Sequence, residues 1–97
     1  MITRTVLLKA HRRDLIRSTL AEMAELPARV DCIESVTVSA DRSARSLGYD
    51  LMMVLRFRTE DELARWQVHP EHVPFRDILT DPSIVELLVF ESSDQAS

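Results

Sequence analysis

The stretch Gly48-Tyr49-Asp50-Leu51-Met52-Met53-Val54-Leu55-Arg56-Phe57 decides the fold. Tyr49, Leu51, Met53, Leu55 and Phe57 are apolar at period two, the spacing that places alternate side chains on one face of a strand. Asp50, Met52, Val54 and Arg56 fall on the opposite face, which is half apolar. The pattern predicts a strand with one face in the core and the other only partly suited to water. Directly beyond it, Thr59-Glu60-Asp61-Glu62 sets Thr at an N-cap and Glu three residues later. That is a reciprocal capping box, in which each side chain satisfies a free backbone donor of the other, so a helix starts there and carries Leu63, Ala64 and Trp66.

Working outward toward the N-terminus, the polar run Asp41–Ser46 reads as a loop and Cys32–Ala40 alternates as a strand. Residues Ile2–Ala10 form a first strand, with Ile2, Val6, Leu8 and Ala10 on one face and Arg4 standing among them. From His11 the period changes: Leu15, Ile16, Leu20, Met23 and Ala24 recur at three- and four-residue steps, which predicts an amphipathic helix ending near Pro27. Toward the C-terminus, Pro70 disfavours helical geometry at His69 but suits a first turn, so a break is expected at His69 and a second short helix from Pro70, carrying Phe75, Ile78 and Leu79. Asp81-Pro82 should stop it, and Ile84–Phe90 reads as a last strand with apolar residues on both faces. Residues 92–97 are polar with nothing to bury and are expected to form a flexible tail behind one domain of residues 1–91.

The order strand, helix, strand, strand, helix, strand is the α+β split βαβ, or ferredoxin-like, arrangement: an antiparallel four-stranded sheet with both helices on one face. Leu7, Met52 and Val54 then lie on the uncovered face and call for a second copy packed sheet to sheet about a twofold axis, a dimeric α/β barrel.

Bulk properties remove several function classes. Ninety-seven residues suffice for one core, and the 45% hydrophobic and 29% charged composition is that of a foldable chain in water. A net charge of -4 gives no basic footprint for nucleic acid. The N-terminal apolar run is broken by Arg4 and Lys9, so neither a membrane span nor a targeting segment is expected, and cytoplasmic placement is. The lone Cys32 reads as a small buried hydrophobe, which suits a reducing compartment. A single glycine leaves no Gly-rich phosphate or dinucleotide loop, so no cofactor is expected.

Two of the three histidines sit in His69-Pro70-Glu71-His72, beside a helix start. Three roles are open to them. A metal would find only two ligands there, short of the three or four that zinc takes, and no metal site is expected. As an acid-base group, His72 lies in a first turn whose dipole disfavours the imidazolium and keeps a neutral base near pH 7. As structural residues, His69 caps the helix and His72 packs at its edge. Trp66 is either a core anchor or part of a pocket wall. Arg4, on an apolar face, must reach water, a carboxylate such as Glu86, or an anionic ligand. The hydroxyl of Tyr49 reaches either the surface or a cavity between sheet and helices.

The run Trp66-Gln67-Val68-His69-Pro70-Glu71-His72-Val73-Pro74-Phe75 resembles the stress-responsive dimeric α/β-barrel (Dabb) proteins. So do the first strand ending Val6-Leu7-Leu8-Lys9, the Gly48-Tyr49 opening of a strand ending Arg56-Phe57, and the closing Val89-Phe90-Glu91. The resemblance covers nearly the whole chain, with His-Pro-x-His-x-x-Phe its most specific part. It implies a homodimer with facing sheets and a pocket between each sheet and its helices. In plant members that are cofactor-free polyketide cyclases, the second His of the run acts as base with a Tyr six residues before it. Here that His is His72, and Trp66 holds the Tyr position. Arg4 stands where the family often has an inward His, and Leu51 where the cyclases have a further strand His.

Together these features predict a homodimer that binds a small, partly apolar molecule in a pocket lined by Arg4, Tyr49, Trp66, His69 and His72. An enzyme of this kind would use His72 as general base in a cyclisation, isomerisation or lyase-type step, with Arg4 at the oxyanion. The competing class is a non-catalytic stress-response or assembly protein whose oligomer is its function.

Overall fold

In the computed structural model, which describes residues 1–93, nine stretches of regular structure follow one another. They are β1 (Ile2–Ala10), α1 (Arg13–Met23), α2 (Leu26–Arg29), β2 (Ser35–Ala40), β3 (Leu51–Phe57), α3 (Glu60–Gln67), a 3-10 turn (Pro70–His72), α4 (Val73–Leu79) and β4 (Val85–Ser93). The strands form one antiparallel sheet in the order β2-β3-β1-β4, the ferredoxin-like topology. The helical crossovers, β1 to β2 and β3 to β4, each skip one strand position, so the strands they make parallel are never neighbours.

Register explains the layering. Val6 faces Met53 and Val89 across its two neighbours, and Leu8 faces Leu51 and Leu87, so directly opposed residues share a face and form continuous apolar rows. Ile16, Leu20 and Met23 of α1, with Leu26 of α2, close over these rows, as do Leu63 and Trp66 of α3 and Phe75 and Leu79 of α4. Leu8, Ile16, Leu26 and Phe57 are fully enclosed. Each such side chain contributes about 1.5–3 kcal/mol through removal from water.

Several boundaries differ from expectation for local reasons. α1 ends at Met23, and Pro27 sits in the first turn of the separate α2, a position where its missing N–H leaves nothing unsatisfied. β2 begins at Ser35 rather than Cys32, although Cys32 and Ile33 are buried in the preceding turn. β3 begins at Leu51: Leu47 and Gly48 have φ of 57° and 90°, a turn that interrupts the alternation before Tyr49. Residues Ser92 and Ser93 continue β4 by pairing with Thr3 and Ile2, so the polar composition that suggested a free tail from residue 92 is outweighed by the ladder of β1. Residues 94–97 of that expected tail lie outside the described residues.

The capping box is realised by half. Thr59 Oγ1 accepts from the Glu62 N–H at 3.2 Å, but Glu62 Oε2 accepts from the backbone N–H and guanidinium of Arg58 instead of reaching back to Thr59. The break before Pro70 is present, and the helix resumes as a 3-10 turn because Pro74 has no N–H to give the Pro70 carbonyl, which Val73 N–H takes instead.

The uncovered face of the sheet carries Leu7, Met52 and Val54 as expected from the alternation, and Leu88 and Phe90 join them. Leu88 is 51% exposed and Phe90 68% exposed, so the least covered large apolar groups of this face lie on β4.

Candidate functional site

A cavity of about 360 Å³ lies between the inner face of the sheet and the helices. Its apolar wall is Val6, Met53 and Leu55 from the sheet, Met23 at the end of α1 and Leu79 of α4. Leu87 and Val89 of β4 border it on one side. Its polar groups are Arg4, Gln67, His72, Arg76 and Thr80, and no carboxylate is among the lining residues.

His72 reaches this cavity because the 3-10 turn ends on it and α4 begins at the next residue. Its Nδ1 lies 3.3 Å from the Gln67 carbonyl, an atom that only accepts, so Nδ1 carries the proton of the neutral ring. The lone pair is therefore on Nε2. Burial holds the His72 pKa below the usual 6.5, and the guanidiniums of Arg76 and Arg4 push it the same way against the opposing hydrogen bond to Gln67. The ring is thus neutral at pH 7 and equipped to accept a proton.

Trp66 is 3% exposed and forms part of the same wall, its ring centroid 4.7 Å from that of His72 with 33° between the planes. It is both a core anchor and a pocket residue. Arg4 also lines the cavity, on the inward face of β1 opposite Leu55 and Glu91. Glu86 is not its partner: it pairs in register with Lys9 on the outer face and bonds His11 at 2.8 Å. Among the described residues, neither Arg4 nor Arg76 forms an ion pair.

Two expected site residues are placed elsewhere. His69 Nδ1 accepts from the Glu71 N–H at 3.1 Å, the N-cap of the 3-10 turn, and its ring stands 6.0 Å from Trp66 without lining the cavity. Tyr49 is on the other side of the sheet, beneath the Lys9 ammonium at 4.8 Å, and borders a separate concavity with Leu7 and Met52. Tyr49 lies between the Leu47-Gly48 turn and Leu51, the first residue of β3, outside the paired ladder, so the period-two alternation of the strand does not fix its face. A third concavity lies between α1 and α4 on the helical surface and contains neither histidine. Among the described residues no three His, Cys, Asp or Glu groups gather as a metal would require. Burial pushes the Cys32 thiol pKa up, in keeping with an inert core cysteine.

Arg76 and Thr80 were not singled out from the sequence, yet the signal was there. His72, Arg76 and Thr80 follow one another at four-residue steps and so form one helical stripe.

Comparison with known proteins finds the same fold elsewhere. A protein from Arabidopsis thaliana has a similar structure, with 20% identity and a TM-score of 0.81, covering 100% of this chain and 98% of that one. A dimeric ferredoxin-like protein of unknown function from Jannaschia sp. CCS1 is 19% identical, with a TM-score of 0.80 and coverage of 95% and 97%. A mutant of SnoaB, a cofactor-independent oxygenase from Streptomyces nogalater, is 14% identical, with a TM-score of 0.78 and coverage of 99% and 94%. At these identities the likeness is one of fold. No curated protein matches the chain. The model of the stress responsive A/B barrel domain matches residues 2–94, nearly the full length, and the chain belongs to that Dabb family.

Proposed function

We propose that the protein is a homodimer that binds a small, partly apolar molecule in the cavity beneath its helices, and that His72 acts there as a general base without a cofactor. The observation that carries this reading is the presence of Arg4 and a neutral-favoured His72 in the lining of one cavity of about 360 Å³. A space of that size falls within the range of small-molecule sites, whereas a closed and fully packed interior would have favoured a purely structural protein. A protein of similar fold is described as a cofactor-independent oxygenase, which supports chemistry carried by side chains alone.

The step follows from the tautomer. With Nδ1–H held by the Gln67 carbonyl, Nε2 takes a proton from a carbon next to a carbonyl, and the electron pair of the C–H bond moves into the carbonyl to give an enolate. Arg4 sits by the cavity to stabilise the oxyanion, and Trp66 provides a flat apolar wall against which the imidazolium is held. Where the carbonyl is conjugated with a C=C bond, return of the proton from Nε2 to the far carbon of the dienolate completes an isomerisation; attack of the enolate on a second carbonyl gives an alkoxide, which takes the proton back from Nε2 to complete an aldol or cyclisation product. The absence of a phenol at position 66 means that one group, His72, handles both proton transfers.

Dimerisation is supported by the apolar rows Met52–Leu7–Leu88 and Val54–Thr5–Phe90 on the uncovered face and by relatives described as dimeric. The catalytic reading is tested by wash-in of solvent deuterium at the carbons flanking the carbonyl of 4-phenyl-2-butanone, followed by NMR. The wild-type protein should accelerate exchange, and His72→Ala should lose about a hundredfold or more of that acceleration while remaining a dimer. Unchanged exchange in the variant excludes His72 as the base.

A further inference from the structure

We infer that the cavity selects an amphipathic monoanion, a carboxylate-bearing molecule whose charged end lies between Arg4 and Arg76 and whose hydrocarbon end runs along Val6, Met53 and Leu55. This rests on the proposal that the cavity is a ligand site, and it adds the charge and shape of what enters.

Three observations carry it. Two guanidiniums line one small cavity, one from the sheet and one from α4, and neither has an ion-pair partner among the described residues. The chain as a whole is acidic, with 16 Asp and Glu against 12 Lys and Arg, yet the lining holds no acidic residue. Unopposed cationic lining in an acidic protein is the arrangement that draws in an anion and rejects a cation. Arginine in particular presents a planar fork of donors matched to a carboxylate. The remaining wall is hydrocarbon except for Gln67, His72 and Thr80, so the rest of the ligand must be largely apolar.

Size limits the class further. About 360 Å³ is near the lower end of small-molecule sites and too small for a nucleotide or another large polyanion. With one carboxylate between the two guanidiniums, any charge carried further along the ligand would lie against the apolar wall that includes Met23, Met53 and Leu79.

The single tryptophan of the chain is in the cavity wall, so its fluorescence reports occupancy directly. Octanoate and octanamide have nearly the same size and apolar tail and differ in charge at pH 7.5. The dimer should bind octanoate at least tenfold more tightly than octanamide, which corresponds to about 1.4 kcal/mol. Arg76→Gln, at an exposed side chain of α4, should bring octanoate to within threefold of octanamide, and Arg4→Gln should do the same. Equal binding of the two probes by the wild-type protein overturns the charge selectivity and leaves the cavity as a site for neutral ligands. Failure of both probes to alter Trp66 emission at millimolar concentration overturns the ligand-site reading itself, and this inference with it. Preference for octanoate that survives both arginine substitutions overturns the assignment of the anion to these residues.

Discussion

His72 is the residue on which the chemistry turns, and its protonation is set by its surroundings. Burial and two nearby guanidiniums disfavour its charged form, so its folded pKa lies below 6.5. The reactive form is the neutral one, present above that pKa and lost as pH falls through it. A profile of kcat/KM should therefore have an acidic limb with its midpoint below 6.5 and be flat through neutrality; a limb above 7 would mean that another group is titrating. Arg4 shows how a residue that looks out of place in an apolar strand face gains meaning from its register: it is inward, beside the cavity, while Glu86, the carboxylate expected as a possible partner, is outward. Trp66 makes the two roles of core and pocket inseparable. Trp66→Ala should cost about 3–5 kcal/mol in denaturant unfolding and also abolish ligand binding, whereas Trp66→Phe should keep most of the stability.

At the scale of elements, the bend between α3 and α4 presents the site. Thr59 caps α3, and replacing it with Ala should lower stability by about 1 kcal/mol in urea unfolding with little change in the slope. His69 caps the 3-10 turn, and Pro70 and Pro74 together force that turn, which swings His72 under the helix end and starts the stripe continued by Arg76 and Thr80. Much of this was legible in the sequence, because the cap, the prolines and the apolar periods act locally. Strand order, helix starts and the inward Arg4, Trp66 and His72 all follow from such local signals. Tyr49 was not legible, since strand pairing begins only at Leu51 and the apolar period alone does not show where the ladder stops. The extension of β4 to Ser93 depends on pairing with β1, a contact made across the chain that composition does not reveal. Arg76 was overlooked because an arginine on a short helix resembles ordinary surface until the fold brings it beside Arg4.

For the whole molecule, the sheet has two unlike faces: the covered face holds a cavity, and the uncovered face exposes the apolar groups on which the proposed dimer rests. Leu88 and Phe90, on the edge strand β4, are the most exposed large apolar groups of that second face, and Thr5 separates Phe90 from Val54 across β1. Sedimentation should give twice the 11.1 kDa mass of one chain, and a double substitution Leu88→Glu with Phe90→Lys should give a single chain at micromolar concentration. A monomeric wild-type protein would remove the dimer from the account.

The central claim is that ligand enters the cavity and meets His72. NMR titration of the His72 ring nitrogens, in free protein and with octanoate, tests it most directly. The account predicts a proton on Nδ1 and a pKa below 6.5 in the free protein, rising when the anion binds because a neighbouring negative charge favours the imidazolium. A saturating ligand that leaves the His72 titration unmoved, while shifting resonances elsewhere on the sheet, would contradict it.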